Sequence, residues 1–149
     1  MKKLKIFIAC DTTNLAKVKK IINQSKTKKI KIGYKFGLEF MNSKKGRKFV
    51  STLRNKIIFV DLKLNDTVNT MLSAVKALKD LKINYLTVHV SSGLTALKAV
   101  KKVSGLTKIV GVTTLTSLNN KDLKLIGYSK SVKNLVIHQA KLARRSALD

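Results

Sequence analysis

The sequence contains no proline and no tryptophan, and Cys10 is its single cysteine. A lone thiol excludes an intrachain disulfide and suits a reducing cytosol, so a cytoplasmic location is expected. No apolar run approaches the roughly 20 residues of a membrane-spanning helix, so no membrane partner is expected. The start, Met1 to Cys10, is basic and then apolar like a weak signal peptide. Its apolar part is short and meets Asp11 at once, which reads as a strand. Acid is scarce too: 7 acidic residues face 32 basic ones, for a formal net charge of +25. Such a charge invites a nucleic-acid reading. Arginine is nearly absent, however, with only Arg47, Arg54, Arg144 and Arg145. The lysines are spread along helices, as in Lys17, Lys19, Lys20 and Lys76, Lys79, Lys82, and form no stripe among aromatics. The expectation is no specific nucleic-acid partner, a field that attracts a small anionic substrate, and nonspecific polyanion binding at low salt.

What is present is a regular alternation. With 149 residues, 44% of them hydrophobic, the chain can bury the core of one domain. Strands are expected at Leu4–Cys10, Lys29–Gly33, from Ile57, at Tyr85–Val90 and at Lys108–Val112. Helical faces lie between them: Leu15, Val18, Ile21 and Ile22; Ser43 to about Leu53; Val68, Met71, Leu72, Val75, Leu78 and Leu81; Leu94, Leu97, Ala99 and Val100. A short helix from Asn119 to near Gly127 and a last one from Ser131 to about Arg145 complete the pattern. Strands recur roughly every 25 residues, the size of a strand-plus-helix unit. Such alternation predicts a parallel sheet wrapped by helices.

The chemistry concentrates in Ile57 to Thr70, which reads I-I-F-V-D-L-K-L-N-D-T-V-N-T. Ile57 to Val60 form an apolar run suited to a strand covered on both faces. Charge follows where that strand should end. Asp61 and Lys63 are two apart, so on an extended chain they point the same way. Asp66 follows just before an amphipathic helix, where it could also serve as an N-cap. Buried charges of this kind are costly unless they pair with each other or with a ligand. Other strands repeat the arrangement: Asp11 ends the first, Lys31 lies on the second, Thr87 and His89 on the fourth, and Thr113, Thr114 and Thr116 follow the fifth. Polar groups delivered at the carboxyl ends of successive strands are the mark of a (β/α)8 barrel active site.

These residues resemble the orotidine 5′-monophosphate (OMP) decarboxylase family. The resemblance runs through Ala9-Cys10-Asp11-Thr12-Thr13, Lys31-Ile32-Gly33-Tyr34, Asp61-Leu62-Lys63-Leu64-Asn65-Asp66 with Asn69-Thr70, Leu86-Thr87-Val88-His89, and Gly111 to Ser117. It implies an α/β fold, an incomplete (β/α)8 TIM barrel with about five β/α units. It implies conversion of OMP to UMP and carbon dioxide without metal or cofactor. By the same resemblance Lys63 matches the lysine that protonates C6, and Asp61 sits beside the substrate carboxylate and holds Lys63. Lys31 extends the alternating charge array. Asp66 and Thr70 reach into the neighbouring site of a homodimer, Asp11 binds the ribose, and Thr116 binds the pyrimidine edge.

The chain departs from the family in places. Asn65 stands where His is frequent, and Thr67-Val68 stand where Ile-Pro is usual. Losing that proline loosens the turn into the helix. A TIM barrel needs roughly 200 residues or more, so the sequence reads as the N-terminal part of a decarboxylase. The loops after strands seven and eight, the usual phosphate site, are then missing, and the piece alone is expected to be inactive. Two rivals stay open: a magnesium-dependent decarboxylase of keto-sugar phosphates such as 3-keto-L-gulonate 6-phosphate, which shares D-x-K-x-x-D, and a non-catalytic polyanion-binding remnant. Cys10, Glu39 and Phe40 are expected to pack structurally, His89 to be a structural histidine, and His138 to have no metal role.

Overall fold

The computed structural model describes residues 5–149. Leu4, expected in the first strand, lies outside the described residues. The elements in order are β1 (Lys5–Ala9), α1 (Leu15–Gln24), β2 (Lys31–Gly37), α2 (Leu38–Asn42), α3 (Gly46–Thr52), β3 (Ile57–Leu64), α4 (Val68–Ala77), β4 (Tyr85–His89), α5 (Gly93–Val103), β5 (Lys108–Val112), α6 (Asn120–Leu125) and α7 (Val132–Arg145). Short 3₁₀ turns at Lys79–Leu81 and Val90–Ser92 precede β4 and α5. The strands form a 5-stranded sheet in the order β1-β2-β3-β4-β5. β1 pairs with β2, and β2 with β3, in parallel. A parallel sheet whose strands keep their sequence order, with helical crossovers, has the topology of an incomplete (β/α)8 barrel.

The chain folds as two compact units. The first comprises the residues up to Leu62 together with Ala77–Leu86. Its core includes Val18, Tyr34, Phe36, Phe40, Val50, Ile58 and Val60, all essentially buried. Phe7 meets both Phe59 and Tyr85 edge-on, its ring centred 5.2 Å from Phe59 and 5.1 Å from Tyr85. Gly33 makes room for this cluster: a Cβ there would stand 2.6 Å from the Phe7 ring. The second unit comprises Lys63–Lys76 and Thr87–Asp149. Met71, Val75, Val88, Leu97, Val100, Ile109 and Leu123 form its core. The starts of α1, α6 and α7 follow the sequence signals. Asn14 accepts the Lys17 N–H ahead of α1, and Asn119 with Asp122 builds a capping box ahead of α6.

Several boundaries differ from expectation, and two differ in ways that matter. The second strand runs to Gly37 rather than ending at Gly33, because Tyr34 and Phe36 are buried and Gly37 pairs in register with Asp61. The helix expected from Ser43 is two helices, α2 and α3. The Ser43 hydroxyl donates to the Phe40 carbonyl at 2.7 Å and ends α2. Gly46 then passes so close to that carbonyl that a Cβ would lie 1.7 Å from it. Phe40 is buried as expected, whereas Glu39 is exposed.

Candidate active site

In the first unit three charged side chains meet toward the carboxyl ends of β1, β2 and β3. The Cys10 N–H donates to the Lys35 carbonyl at 2.8 Å, which carries the β1–β2 ladder one residue past the strand and delivers Asp11. Lys35 Nζ lies 3.8 Å from Asp11 Oδ2 and donates to Asp61 Oδ2 at 3.4 Å. Asp61 is only 9% exposed, so its charge needs such a partner, whereas the Asp11 carboxylate is open to solvent. The row reads Asp, Lys, Asp across three neighbouring strands.

The lysine of that row was misplaced in the sequence reading. Lys31 is the first residue of β2, exposed, and paired in register with Lys5. It stands at the opposite end of the strand, four residues and about 13 Å from Lys35. Lys35 takes the place assigned to Lys31. The available signal was height along the strand: a cation meeting Asp11 and Asp61 must also lie at a carboxyl end.

The second unit holds the rest of the motif. Lys63 is half-buried, and its backbone adopts φ +48°, so the regular strand alternation assumed for Asp61 and Lys63 does not extend through it. Its N–H donates to the Thr87 hydroxyl oxygen at 2.8 Å. His89 follows on β4. Burial, together with the positive charge of Lys63, holds its imidazole below the ordinary pKa of 6.5. The loop after β3 is tied to the turn after β4, where the Ser92 hydroxyl donates to Asn65 Oδ1 at 2.9 Å. Asp66 is exposed and accepts the Thr67 N–H at 2.7 Å. Thr70, also exposed, shares a hydrogen bond with the Thr67 hydroxyl at 3.0 Å.

A hollow of about 240 Å³ opens beside these residues, lined in part by His89, Asn65, Thr113, Thr114, Tyr128 and Gln139. The Thr114 hydroxyl donates to the buried Gln139 side chain at 3.0 Å. Thr116 is exposed in the loop beyond and is not part of that lining. Tyr128 and Gln139 escaped the sequence reading because they lie on the segments after β5, far from any motif. A larger hollow of about 500 Å³ lies in the first unit, lined by Lys26, Lys28 and Lys56 near the amino ends of β2 and β3. Size is a poor guide here, since the mixed charges that could do chemistry gather at the other end. Cys10 is fully buried, and burial and then the Asp11 charge push its thiol up to about 11, as befits an inert core residue. Among the described residues no cluster of three or more His, Cys, Asp or Glu has metal-binding geometry.

The chain is similar to known proteins. The chain is 40% identical over 150 residues to the orotidine 5′-phosphate decarboxylase of Wolbachia sp. subsp. Brugia malayi (strain TRS), covering 96% of this chain and 64% of that protein. The corresponding enzyme of Wolbachia pipientis subsp. Culex pipiens (strain wPip) is 39% identical with the same coverage. The chain thus spans under two thirds of the length of these relatives. The crystal structure of orotidine 5′-phosphate decarboxylase from Lactobacillus acidophilus superposes with a TM-score of 0.85 at 28% identity, over 97% of this chain and 69% of that one. The sequence model of the orotidine 5′-phosphate decarboxylase / HUMPS family matches residues 4–149, and with the carboxyl-end charge row on sequentially ordered strands, the chain belongs to that family.

Proposed function

We propose that this chain is the part of an orotidine 5′-phosphate decarboxylase that carries the proton donor and the charge array, converting OMP to UMP and carbon dioxide. The observation that carries the reading is the Asp11–Lys35–Asp61 row, followed on the same β3 strand by Lys63. In the proposed step the bond from C6 to the carboxylate carbon breaks and carbon dioxide leaves. The bonding pair stays on C6, and the Lys63 ammonium supplies the proton that completes UMP. Asp61 would stand beside the departing carboxylate. Lys35, not Lys31, would balance it. Charges set in place beforehand need no solvent reorganisation as the carbanion forms. No metal or cofactor enters this step.

Asp11 would take the ribose hydroxyls and Thr116 the pyrimidine edge. Asp66 and Thr70, exposed at the entry to α4, would reach the neighbouring site of a homodimer in the cytoplasm. The phosphate grip would come from the portion of the relatives that this chain does not span. The test is a chimaera joining residues 1–149 to the C-terminal part of the Brugia malayi Wolbachia relative. Release of carbon dioxide from OMP without added metal, abolished by Lys63→Ala, is the expected outcome, with residues 1–149 alone inactive. A chimaera that needs magnesium and prefers a keto-sugar phosphate would overturn the assignment. Sedimentation of the chimaera as a dimer would support the shared-site reading.

A further inference from the structure

Among the described residues outside glycine, Lys63, Lys82 and Ala147 have positive φ. Lys82 caps the Lys79–Leu81 turn, and Ala147 follows the end of α7, where left-handed backbone is ordinary. Lys63 is different: it lies inside β3, with Leu64 still in the strand. A lysine side chain pays a steric penalty for φ +48°, so something must hold it there. The holder on view is Thr87. Its hydroxyl oxygen accepts the Lys63 N–H at 2.8 Å, and it is only 5% exposed between the fully buried Leu86 and Val88. A β-branched side chain in a packed strand has few rotamers, so the oxygen is aimed rather than adjustable.

We propose that Thr87 is a positioning residue: its hydroxyl oxygen holds the left-handed backbone of Lys63 and thereby sets the direction in which the ammonium leaves the strand. The inference rests on the reading of Lys63 as proton donor, but its test needs no turnover. His89, two residues along β4, reports on the Lys63 charge, which helps hold its pKa down.

The experiment is nuclear magnetic resonance on the 149-residue chain and its Thr87→Val and Thr87→Ser variants. It reads hydrogen exchange at the Lys63 amide and the titration of His89. The Ile109 amide, held by the Asp149 carboxylate at 2.9 Å, serves as a fold control in the same unit. Thr87→Val should speed Lys63 exchange by about tenfold and move the His89 pKa toward its ordinary value, with Ile109 unchanged. Thr87→Ser, which keeps the oxygen but not the β-branch that aims it, should retain most of both signals. Unchanged Lys63 exchange in Thr87→Val, or equal loss in Thr87→Ser, would overturn the proposal. So would faster exchange with a stationary His89 pKa, because the bond would then be structural only. Should Thr87→Val not fold, Thr87→Ala replaces it under the same criteria. An inactive chimaera alongside these expected signals would sink the decarboxylase reading and leave the positioning contact standing.

Discussion

Lys31 and Lys35 are the same residue type on the same strand, yet they inhabit opposite surroundings. Lys31 opens β2 beside Lys5, its register partner, at an end where the neighbouring hollow is lined by Lys26, Lys28 and Lys56. Lys35 stands between Asp11 and Asp61 near the other end. At the amino end like charges are tolerated because water screens them: Lys5, for instance, is exposed and donates to the Tyr85 hydroxyl. At the carboxyl end Asp61 is nearly out of water, so Lys35 is placed by necessity. The pair teaches that charge in this chain acquires meaning from height along the strand, not from abundance.

The largest break in the comparison comes from the chemistry expected at the carboxyl end. In the chimaera, Lys63→Ala should lower kcat by about 10²–10⁴-fold or more, measured by carbon dioxide release, since both cation and proton are lost. Lys31→Ala in the same assay should leave kcat within about twofold, as expected of a solvated surface charge. On stability, Lys35→Met deprives a buried carboxylate of a partner. It should cost about 1–3 kcal/mol by urea unfolding, whereas Lys31→Met should stay within about 0.5 kcal/mol. Gly33→Ala probes the packing between those two lysines. The added methyl meets the Phe7 ring, and the expected cost is about 1–3 kcal/mol in the same measurement.

A smaller effect sharpens the contrast through pH. The folded pKa of His89 lies below the ordinary 6.5, so the unfolded chain takes up that proton first. Stability should therefore be full above pH 6.5 and fall as pH drops below it toward the folded value. His89→Gln should flatten that decline, seen in urea midpoints across the interval. Equal slopes in both proteins would remove the link between His89 and Lys63.

Local rules carried far in this molecule. Apolar runs of four or five residues separated by amphipathic stretches predict the strand–helix alternation, because side-chain periods of two and 3.6 are imposed by the backbone. Asn14, Asn119 and Ser131 mark helix starts in the sequence and cap them in the structure. The D-x-K-x-x-D stretch points to β3 for the same reason, since an apolar strand that ends in charge must be meeting something. Cys10 was legible as core from its place beside Asp11 on the strand. Ser43 was less legible, because a hydroxyl that ends one helix by bonding a carbonyl three residues back looks like one that begins the next.

By itself, then, the sequence determined the order of elements, the parallel sheet and the strand that bears Asp61 and Lys63. These depend on patterns of neighbouring residues, which any reader of the chain can count. Only the tertiary structure decided that Lys35 rather than Lys31 faces Asp61, that Lys63 leaves the pleat with positive φ, and that Thr87 meets its amide. Those outcomes turn on register between strands distant in sequence and on which groups lose water on folding. Such quantities are set by the packed whole and have no local signature.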